Sequence, residues 1–241
     1  MTSTPLPDVQ ALTFDVFGTV VDWRSTVIRE VTATLGQGKG LDADWGAFAD
    51  RWRFEGYVGG IQAIRRGERP FTTADALHRA KLDELLGELG NPLDEAEAAD
   101  LNRVWHRLDP WPDSVGGLRR LGTRFIVSTL SNGNLALLVN MAKHSGLPWD
   151  CFLSADLLGH FKSDPETYLS AARALTLDPA QVMMVAAHKP DLEAAGACGL
   201  RTAFVPRPRE HGPSVTVDLE PDDRFDFNAT DFHDLAAQLR C

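Results

Sequence analysis

Polar residues at four places in this sequence could together support catalysis by a nucleophilic carboxylate. Asp15 follows a short apolar run, Ser131 and Asn132 follow a second one, Lys162 lies in a loop, and Asp191 follows a third apolar run. Covalent catalysis by a carboxylate needs a nucleophile, an anchor for an anion, a charge partner and a base, and these residue types supply them. Helix capping or surface charge could explain any one of them alone, and Asp191 in particular opens a predicted helix.

Hydrophobic periodicity predicts the elements that position these groups. Residues 11–14 form an apolar run typical of a buried strand, which places Asp15 at its carboxyl end. From residue 25 to about 108, apolar residues recur at helical spacing, which predicts about four helices. Beyond residue 112, strands alternate with helices, a pattern that predicts an α/β fold with a doubly wound parallel sheet. Because parallel strands end at one edge of a sheet, the polar groups are expected to converge there.

This pattern divides the chain into two parts. We expect a core domain made of residues 1–20 and 112–241, and a helical cap domain, residues 21–111, inserted after the first strand.

Composition excludes several classes of partner. The 241 residues include 24 basic and 34 acidic side chains, a net charge of −10, which argues against nucleic acid and anionic membranes. No apolar stretch approaches roughly 18 residues, so no membrane span is expected, and the first residues do not resemble a signal peptide. The three cysteines form no metal-spaced pair and no even framework. We therefore expect a cytoplasmic protein without disulfides.

Four motifs of the chain resemble those of the haloacid dehalogenase superfamily, and specifically its 2-haloacid dehalogenases of type II. The motifs are FDVFGTVVD (14–22), SNGN (131–134), FKSDPETY (161–168) and AAHKPDLEAAGACGLRTAFV (186–205). The resemblance covers essentially the whole chain. It implies a Rossmann-like core with an inserted cap, and hydrolysis of short 2-haloalkanoic acids to 2-hydroxy acids through a covalent aspartyl ester, with inversion at C2. No metal or other cofactor is implied, and because relatives are often dimers, a homodimer is expected.

The resemblance also assigns the catalytic roles. Asp15 matches the nucleophile, Thr19 can orient it by a hydrogen bond, and Lys162 keeps it ionised. Asp191 matches the residue that activates water, and Ser131 matches the residue that holds the substrate carboxylate.

Further positions match residues that bind substrate and halide. Backbone N–H groups near Val16 and Asn132 are expected to help hold the substrate carboxylate. Arg53, which follows a tryptophan on the second cap helix, matches the arginine that receives the departing halide. Tyr168, six residues after the motif lysine, matches a further site residue.

Two departures from the family pattern concern the halide pocket. Ala186 and His188 stand where many relatives have Ser and Asn, so His188 is expected to donate to the halide or to orient water, with an exposed loop histidine as the alternative. Tyr57 and Phe71 are expected to give the pocket an aromatic wall. A tight, polar pocket of this kind suits small substrates, including haloacetates and fluoroacetate.

A magnesium-dependent phosphatase of the same superfamily is the main alternative. Such enzymes carry a second aspartate two residues after the nucleophile, which protonates the leaving alkoxide, and this position is Phe17 here. They also carry an acidic metal ligand at the position of Ala187. Halide needs neither a proton nor a metal to leave, so these losses favour cleavage of a carbon–halogen bond.

The remaining alternative is a binding or regulatory module that keeps the fold without catalysis. Loss of Asp15, Lys162 or Asp191 would favour it, and all three are present. The segment RPREHGP (207–213) is interpreted as a loop near the entrance to the site, and His106 as a solvated helix residue.

Overall fold

Six parallel strands form the central sheet in a computed structural model of the chain, which describes residues 8–212 and 215–241. The strands of the described chain are β1 (Ala11–Phe14), β2 (Val21–Asp22), β3 (Asp109–Pro110), β4 (Ile126–Ser131), β5 (Cys151–Ser154), β6 (Val182–Ala186), β7 (Arg201–Phe204) and β8 (Phe227–Asn228). The sheet has the order β5-β4-β1-β6-β7-β8. The predicted doubly wound α/β fold is therefore confirmed. Residues 1–7 of the expected core domain and Pro213 of the loop 207–213 lie outside the described residues.

Strand β1 occupies the middle of the sheet. Phe14 is in register with Thr129 of β4 on one side and Val185 of β6 on the other. All four residues of β1 are buried, as expected for a strand of a parallel sheet that helices cover on both faces. The residue that follows β1 is thus held at the centre of the carboxyl edge.

The helices that follow β3 connect and cover the strands of the sheet. They are α6 (Ser114–Leu121), α7 (Leu135–Ser145), α8 (Ala155–Leu158), α9 (Pro165–Ala174), α10 (Lys189–Ala197) and α11 (Phe232–Gln238). Helix α9 begins at a proline after Asp164, whose side chain accepts a hydrogen bond from the backbone of Glu166, and α10 also has proline in its first turn. Proline favours helix initiation at both positions, and the acidic cap adds to it at α9.

A helical block separates β2 from β3. It consists of α1 (Trp23–Val31), α2 (Trp45–Arg51), α3 (Gly59–Arg65), α4 (Ala74–Glu88) and α5 (Glu95–Asn102). Residues Thr32–Gln37 extend α1 as a π-helix, and the π-helical residues Trp52–Val58 join α2 to α3. The periodicity predicted about four helices here, and the continuous run α2–π–α3 is one of them.

A ribbon of two short antiparallel strands carries the chain into and out of this block. Val21 pairs with Pro110 and Asp22 with Asp109. Sequence periodicity missed this ribbon and also missed β8, because two-residue strands carry no detectable alternation. The domain limits at residues 20/21 and 111/112 stay a prediction.

Three tryptophans form the centre of the helical block. Trp23, Trp52 and Trp105 are all fully buried. The ring of Trp105 stacks on that of Trp23 at 6.1 Å and meets that of Trp52 edge-on at 5.4 Å.

Within the described part of the chain, none of the helices combines the length and the apolar character needed to cross a membrane.

Candidate active site

Asp15 lies at the carboxyl end of β1 and accepts three side-chain hydrogen bonds. Its backbone N–H donates to the Val185 carbonyl at 3.0 Å, which continues the sheet by one residue. Its Oδ2 accepts from Thr19 Oγ1 at 2.7 Å and faces His188 Nδ1 at 3.0 Å, and its Oδ1 accepts from Lys162 Nζ at 2.9 Å. The carboxylate is thus fixed in one orientation.

The loop after Asp15 turns sharply so that Thr19 can reach back to the carboxylate. Gly18 adopts φ = +86°, a conformation that L side chains rarely adopt. A Cβ atom at this position would lie 2.0 Å from Oε1 of Glu210. Glycine therefore satisfies both the turn and the close approach of the Glu210 carboxylate.

Lys162 links the two aspartates of the site. Its buried ammonium donates to Asp15 Oδ1 at 2.9 Å and to Asp191 Oδ2 at 2.8 Å. Its backbone N–H donates to Oδ1 of Asn132 at 2.8 Å, which ties the lysine loop to the end of β4. Burial alone would lower the pKa of Lys162, but the two carboxylates outweigh it and raise that pKa above its ordinary value.

Asp15 is ionised in this setting. Burial alone would raise the pKa of its carboxyl group. The charge of Lys162 and the hydrogen bond and charge of His188 act in the opposite direction and hold that pKa well below its ordinary value. A carboxylate that is always ionised and largely removed from water is suited to nucleophilic attack.

Asp191 lies in the first turn of α10. Besides the contact with Lys162, its Oδ1 accepts a hydrogen bond from the hydroxyl of Tyr168 at 2.6 Å. Burial, followed by the neighbouring carboxylate, raises the pKa of Tyr168, so the phenol remains a donor. Tyr168 therefore orients Asp191 from behind and does not line the cavity described below, although the sequence placed it with the substrate-binding residues.

His188 lies between two carboxylates. Its Nδ1 is 3.0 Å from Oδ2 of Asp15, and its Nε2 is 2.8 Å from Oε2 of Glu210. Burial alone would lower its pKa, but the charges and hydrogen bonds of Glu210 and Asp15 raise the pKa of His188 to about 10. The ring is therefore an imidazolium at neutral pH. Because both ring nitrogens already have carboxylate partners, the expected role of His188 as a halide donor is not supported by this geometry.

Glu210 is the partner that sequence reasoning missed. Its carboxylate is buried, with 4% of the residue exposed, and it also accepts a hydrogen bond from Trp23 Nε1 at 3.2 Å. For the segment 207–213 the sequence predicts only a loop near the site entrance. Its place near the site agrees with the structure, but an acidic residue 22 positions from His188 gives no local pattern that would reveal the pair.

Arg53 lies in the π-helical segment and is stacked among aromatic rings. Its guanidinium carbon is 4.8 Å from the ring centre of Phe17 and 4.5 Å from that of Tyr57. Nη1 of Arg53 is buried and has no hydrogen-bond partner within residues 8–212 and 215–241. A buried guanidinium N–H without a partner costs free energy unless an anion binds there.

A cavity of about 260 Å³ connects these groups. Its wall includes Asp15, Phe17, Arg53, Tyr57, Val58, Ile61, Gln62, Arg65, Asn132, Lys162, Ser163, His188, Pro190 and Asp191. This volume lies below the range typical of pockets for drug-sized ligands, so it fits a small molecule. Arg65 and Gln62, which sequence reasoning did not select, are exposed residues on the helical block that border the cavity.

Five predicted site residues lie outside the wall of this cavity: Thr19 and Tyr168, whose contacts are given above, and Phe71, Val16 and Ser131. Phe71 is 42% exposed and stacks on Phe161 with ring centres 4.8 Å apart, so the expected aromatic wall consists of Tyr57 and Phe17 instead. Val16 is buried beneath the loop, and its carbonyl accepts from Val20. Ser131 is also buried, and its Oγ accepts from the backbone N–H of Gly133 at 3.1 Å, which leaves its hydroxyl hydrogen free to donate.

One group of side chains in the described chain has the spacing of a metal site. Donor atoms of His188, Glu210 and His211 lie within 4.8 Å of one another. A metal ligand must be a neutral imidazole, whereas His188 is held as a cation by its two carboxylate neighbours. A metal ion here would have to displace the proton of His188, whose ring nitrogens face the carboxylates of Asp15 and Glu210 as an ion pair.

The parallel sheet, the helical block inserted after its first strand and the charged carboxyl edge define a protein with a Rossmann-like core and an inserted helical block. A family model described as haloacid dehalogenase-like hydrolase matches residues 9–199. The chain therefore belongs to the haloacid dehalogenase-like hydrolases, and it is an enzyme.

Within this family, the proteins to which the chain is similar include haloacid dehalogenases. The crystal structure of a defluorinating L-2-haloacid dehalogenase is 49% identical and covers 97% of this chain and 96% of its own, with a TM-score of 0.91. The (S)-2-haloacid dehalogenase of Xanthobacter autotrophicus is 27% identical over 83% of this chain and 76% of its own length. Haloacetate dehalogenase H-2 of a Moraxella species is 26% identical over 83% of this chain and 86% of its own length.

Proposed function

We propose that this protein hydrolyses the carbon–halogen bond of short 2-haloalkanoic acids, such as haloacetate and 2-halopropanoate, and yields 2-hydroxy acids and halide. The observation that carries the proposal is that the ionised Asp15 and Nη1 of Arg53, which has no partner among the described residues, border one small cavity. A nucleophile and a receiver for an anion are what displacement of halide requires. The names of the similar proteins support the same substrate class.

The first half of the proposed reaction forms an ester. A carboxylate oxygen of Asp15 attacks C2 of the haloacid opposite the halogen, the carbon–halogen bond breaks with its electron pair, and halide moves toward Arg53. Ser131 and the backbone N–H groups near Val16 and Asn132 hold the substrate carboxylate. The buried guanidinium of Arg53 interacts weakly with the neutral, carbon-bound halogen and strongly with the negative charge that develops on it in the transition state. It therefore lowers the barrier to displacement.

The second half releases the product. Asp191, oriented by Tyr168 and Lys162, takes a proton from water, which attacks the carbonyl carbon of the Asp15 ester. The bond from that carbon to the product oxygen then breaks, and the product oxygen takes the proton from Asp191. Because C2 is attacked only once, the proposal predicts inversion at C2. No step of this route uses a metal, and Ala187 stands at the position at which a phosphatase carries its acidic metal ligand.

Halide release measured with an ion-selective electrode tests the proposal. Chloroacetate, fluoroacetate and both enantiomers of 2-chloropropanoate are incubated with the protein in EDTA, beside p-nitrophenyl phosphate with Mg²⁺. We expect halide release that is unchanged by EDTA, with one enantiomer of chloropropanoate preferred and the hydroxy acid inverted. Phosphate release that requires Mg²⁺, without halide release, would instead identify a phosphatase. Absence of both activities would favour the binding module.

A further inference from the structure

The chain of contacts from Asp15 through His188 ends on a buried charge. Glu210 faces His188 at 2.8 Å and is itself held by the indole N–H of Trp23 at 3.2 Å. The other side of His188 meets Asp15 Oδ2 at 3.0 Å, the same oxygen that accepts from Thr19. Carboxylate, imidazolium and carboxylate thus form one fixed row that ends on the nucleophile.

We propose that His188 and Glu210 form a charged pair that accelerates the second half of the reaction, hydrolysis of the Asp15 ester. This inference rests on the proposed function. In it, His188 is a catalytic residue that donates to Asp15 Oδ2, and Glu210 is a positioning residue that acts through His188. We call these two residues the His188–Glu210 pair.

The chemistry of the ester explains why the pair would act on this step. In the ester, Asp15 Oδ1 or Oδ2 is bonded to C2, and we assign Oδ2 as the carbonyl oxygen because it has two donors, Thr19 and His188. When water attacks the carbonyl carbon, its proton passes to Asp191 and the electron pair of the C=O bond moves onto Oδ2. Collapse of this intermediate re-forms C=O and breaks the bond to the product oxygen, which takes the proton from Asp191. The regenerated Asp15 then loses its own proton to solvent.

The negative charge on Asp15 Oδ2 changes during the reaction, and the His188–Glu210 pair stabilises the states in which this charge is largest. Oδ2 shares a negative charge in the free enzyme, is nearly neutral in the ester, and becomes fully negative in the tetrahedral intermediate. A charged donor therefore stabilises the free carboxylate and the intermediate more than the ester. The pair should therefore speed hydrolysis of the ester. It should not speed the attack of Asp15 on C2, because it slightly stabilises the carboxylate before that attack. Removing one donor to an oxyanion typically slows a step about a hundredfold.

Glu210 is the second carboxylate that keeps His188 protonated. Without it, the ring would face only the carboxylate of Asp15. The charged and titratable groups around the row are Lys162 on Asp15, and His211 and Arg53 near Glu210. Of these neighbours only the two carboxylates stabilise the cationic ring, so neutralising Glu210 lowers the pH at which His188 loses its proton.

The test measures the two halves of the reaction separately in Glu210→Gln and His188→Asn. Rapid quenching with 2-chloropropanoate, followed by intact mass, reports the Asp15 ester, and halide release in the first turnover reports the first step. In both variants we expect the first step within a few-fold of wild type, ester hydrolysis slowed on the order of a hundredfold, and accumulation of ester. Glu220→Gln, an exposed residue of the same polypeptide segment, is the matched control and should behave as wild type.

The pH profile of ester hydrolysis separates this role from a structural one. Wild type should lose rate only on the alkaline side, at a pH below about 10, the pKa of His188 in the free enzyme, because the ester removes the charge of Asp15 and leaves Glu210 as the carboxylate that stabilises the imidazolium. Glu210→Gln should lose rate at clearly lower pH, and His188→Asn should show no such limb. Unchanged profiles without ester accumulation, or equal slowing of both steps with a lowered melting temperature, would overturn the inference. If wild type released no halide, the proposed function itself would fail, which is a different result.

Discussion

At the scale of single residues, the nucleophile gives the sharpest prediction. Asp15→Asn keeps the shape of the side chain and its contact with Lys162 but removes the negative charge that attacks C2. We expect halide release to fall below detection while the folded state persists, measured by electrode and by circular dichroism. A variant that retained ordinary rates would contradict the covalent mechanism.

Isotope labelling tests the same residue without mutation. In a single turnover in H₂¹⁸O, the oxygen of the product comes from Asp15, and water replaces it in the carboxylate. We expect ¹⁸O in a peptide containing Asp15 and unlabelled hydroxy acid, both read by mass spectrometry. Direct attack of water on C2 would give the reverse distribution.

Arg53 carries the second prediction at this scale. Its unpartnered Nη1 is the buried donor assigned to the departing halide. Arg53→Ala should slow halide release by on the order of a hundredfold for fluoride, chloride and bromide alike, because a charged donor to the developing anion is lost. Arg51→Ala, two residues earlier and exposed in ion pairs with Glu55 and Glu88, is the matched control and should change the rate little.

At the scale of elements, Asn134 fastens the helical block to the sheet. Its Nδ2 donates to Asp75 Oδ2 at 2.9 Å, and its Oδ1 accepts from the backbone N–H of Asp75 at 3.2 Å, on α4. His106 also contacts Asp75 at 2.8 Å and is largely buried, so its interpretation as a solvated helix residue was wrong.

Loss of these bonds should loosen the block over the cavity. Asn134→Ala removes a hydrogen bond to the partly exposed carboxylate of Asp75, and a hydrogen bond to a charged group is worth about 1.5–3 kcal/mol. We expect a lower melting temperature and a higher KM with a smaller change in kcat. Asn140→Ala, whose amide contacts His106 on the exposed side, should have a weaker effect. Equal effects of the two substitutions would contradict the anchoring role.

A comparison of the predicted with the observed elements shows which parts of the fold and of the site can be inferred from the sequence. Strands β1, β4, β5, β6 and β7 were predictable because each is a short apolar run, and the convergence of Asp15, Lys162 and Asp191 followed from parallel strands ending at one edge. The partners of His188 were not predictable, because a contact with Glu210 depends on the path of a long loop. Phe71 was misplaced because aromatic character does not indicate which way a loop side chain points.

At the scale of the whole molecule, the charged site makes stability depend on pH. The folded pKa of His188 is raised from 6.5 to about 10, so its contribution to the free energy of unfolding is complete below about pH 6.5 and is lost as the pH rises toward 10. The pKa values of Asp15 and of Asp113, which pairs with Arg207, are lowered, so their contributions are present above about pH 3.8 and are lost on acidification. Burial alone would raise the pKa of both carboxyl groups, but their hydrogen-bonded and charged partners outweigh it.

Thermal unfolding should therefore be most resistant between about pH 4 and 6.5 and should weaken on both sides. Melting temperatures measured across pH 3–10 check this expectation. The variant His188→Asn should lose the alkaline slope and keep the acid one. A wild-type curve that rises steadily from pH 6.5 to 10 would contradict the assigned imidazolium.

The hydrogen bond from Trp23 to Glu210 gives the molecule a built-in optical probe. Trp23 is the first residue of α1, stacks on Trp105, and its indole N–H meets the buried carboxylate that faces His188. The emission of an indole depends on the charges near its ring, so a change of charge at the pair alters the fluorescence of this one side chain. Stopped-flow fluorescence, with Trp23→Phe as the blank, can thus follow the charge of the site during turnover without any added label.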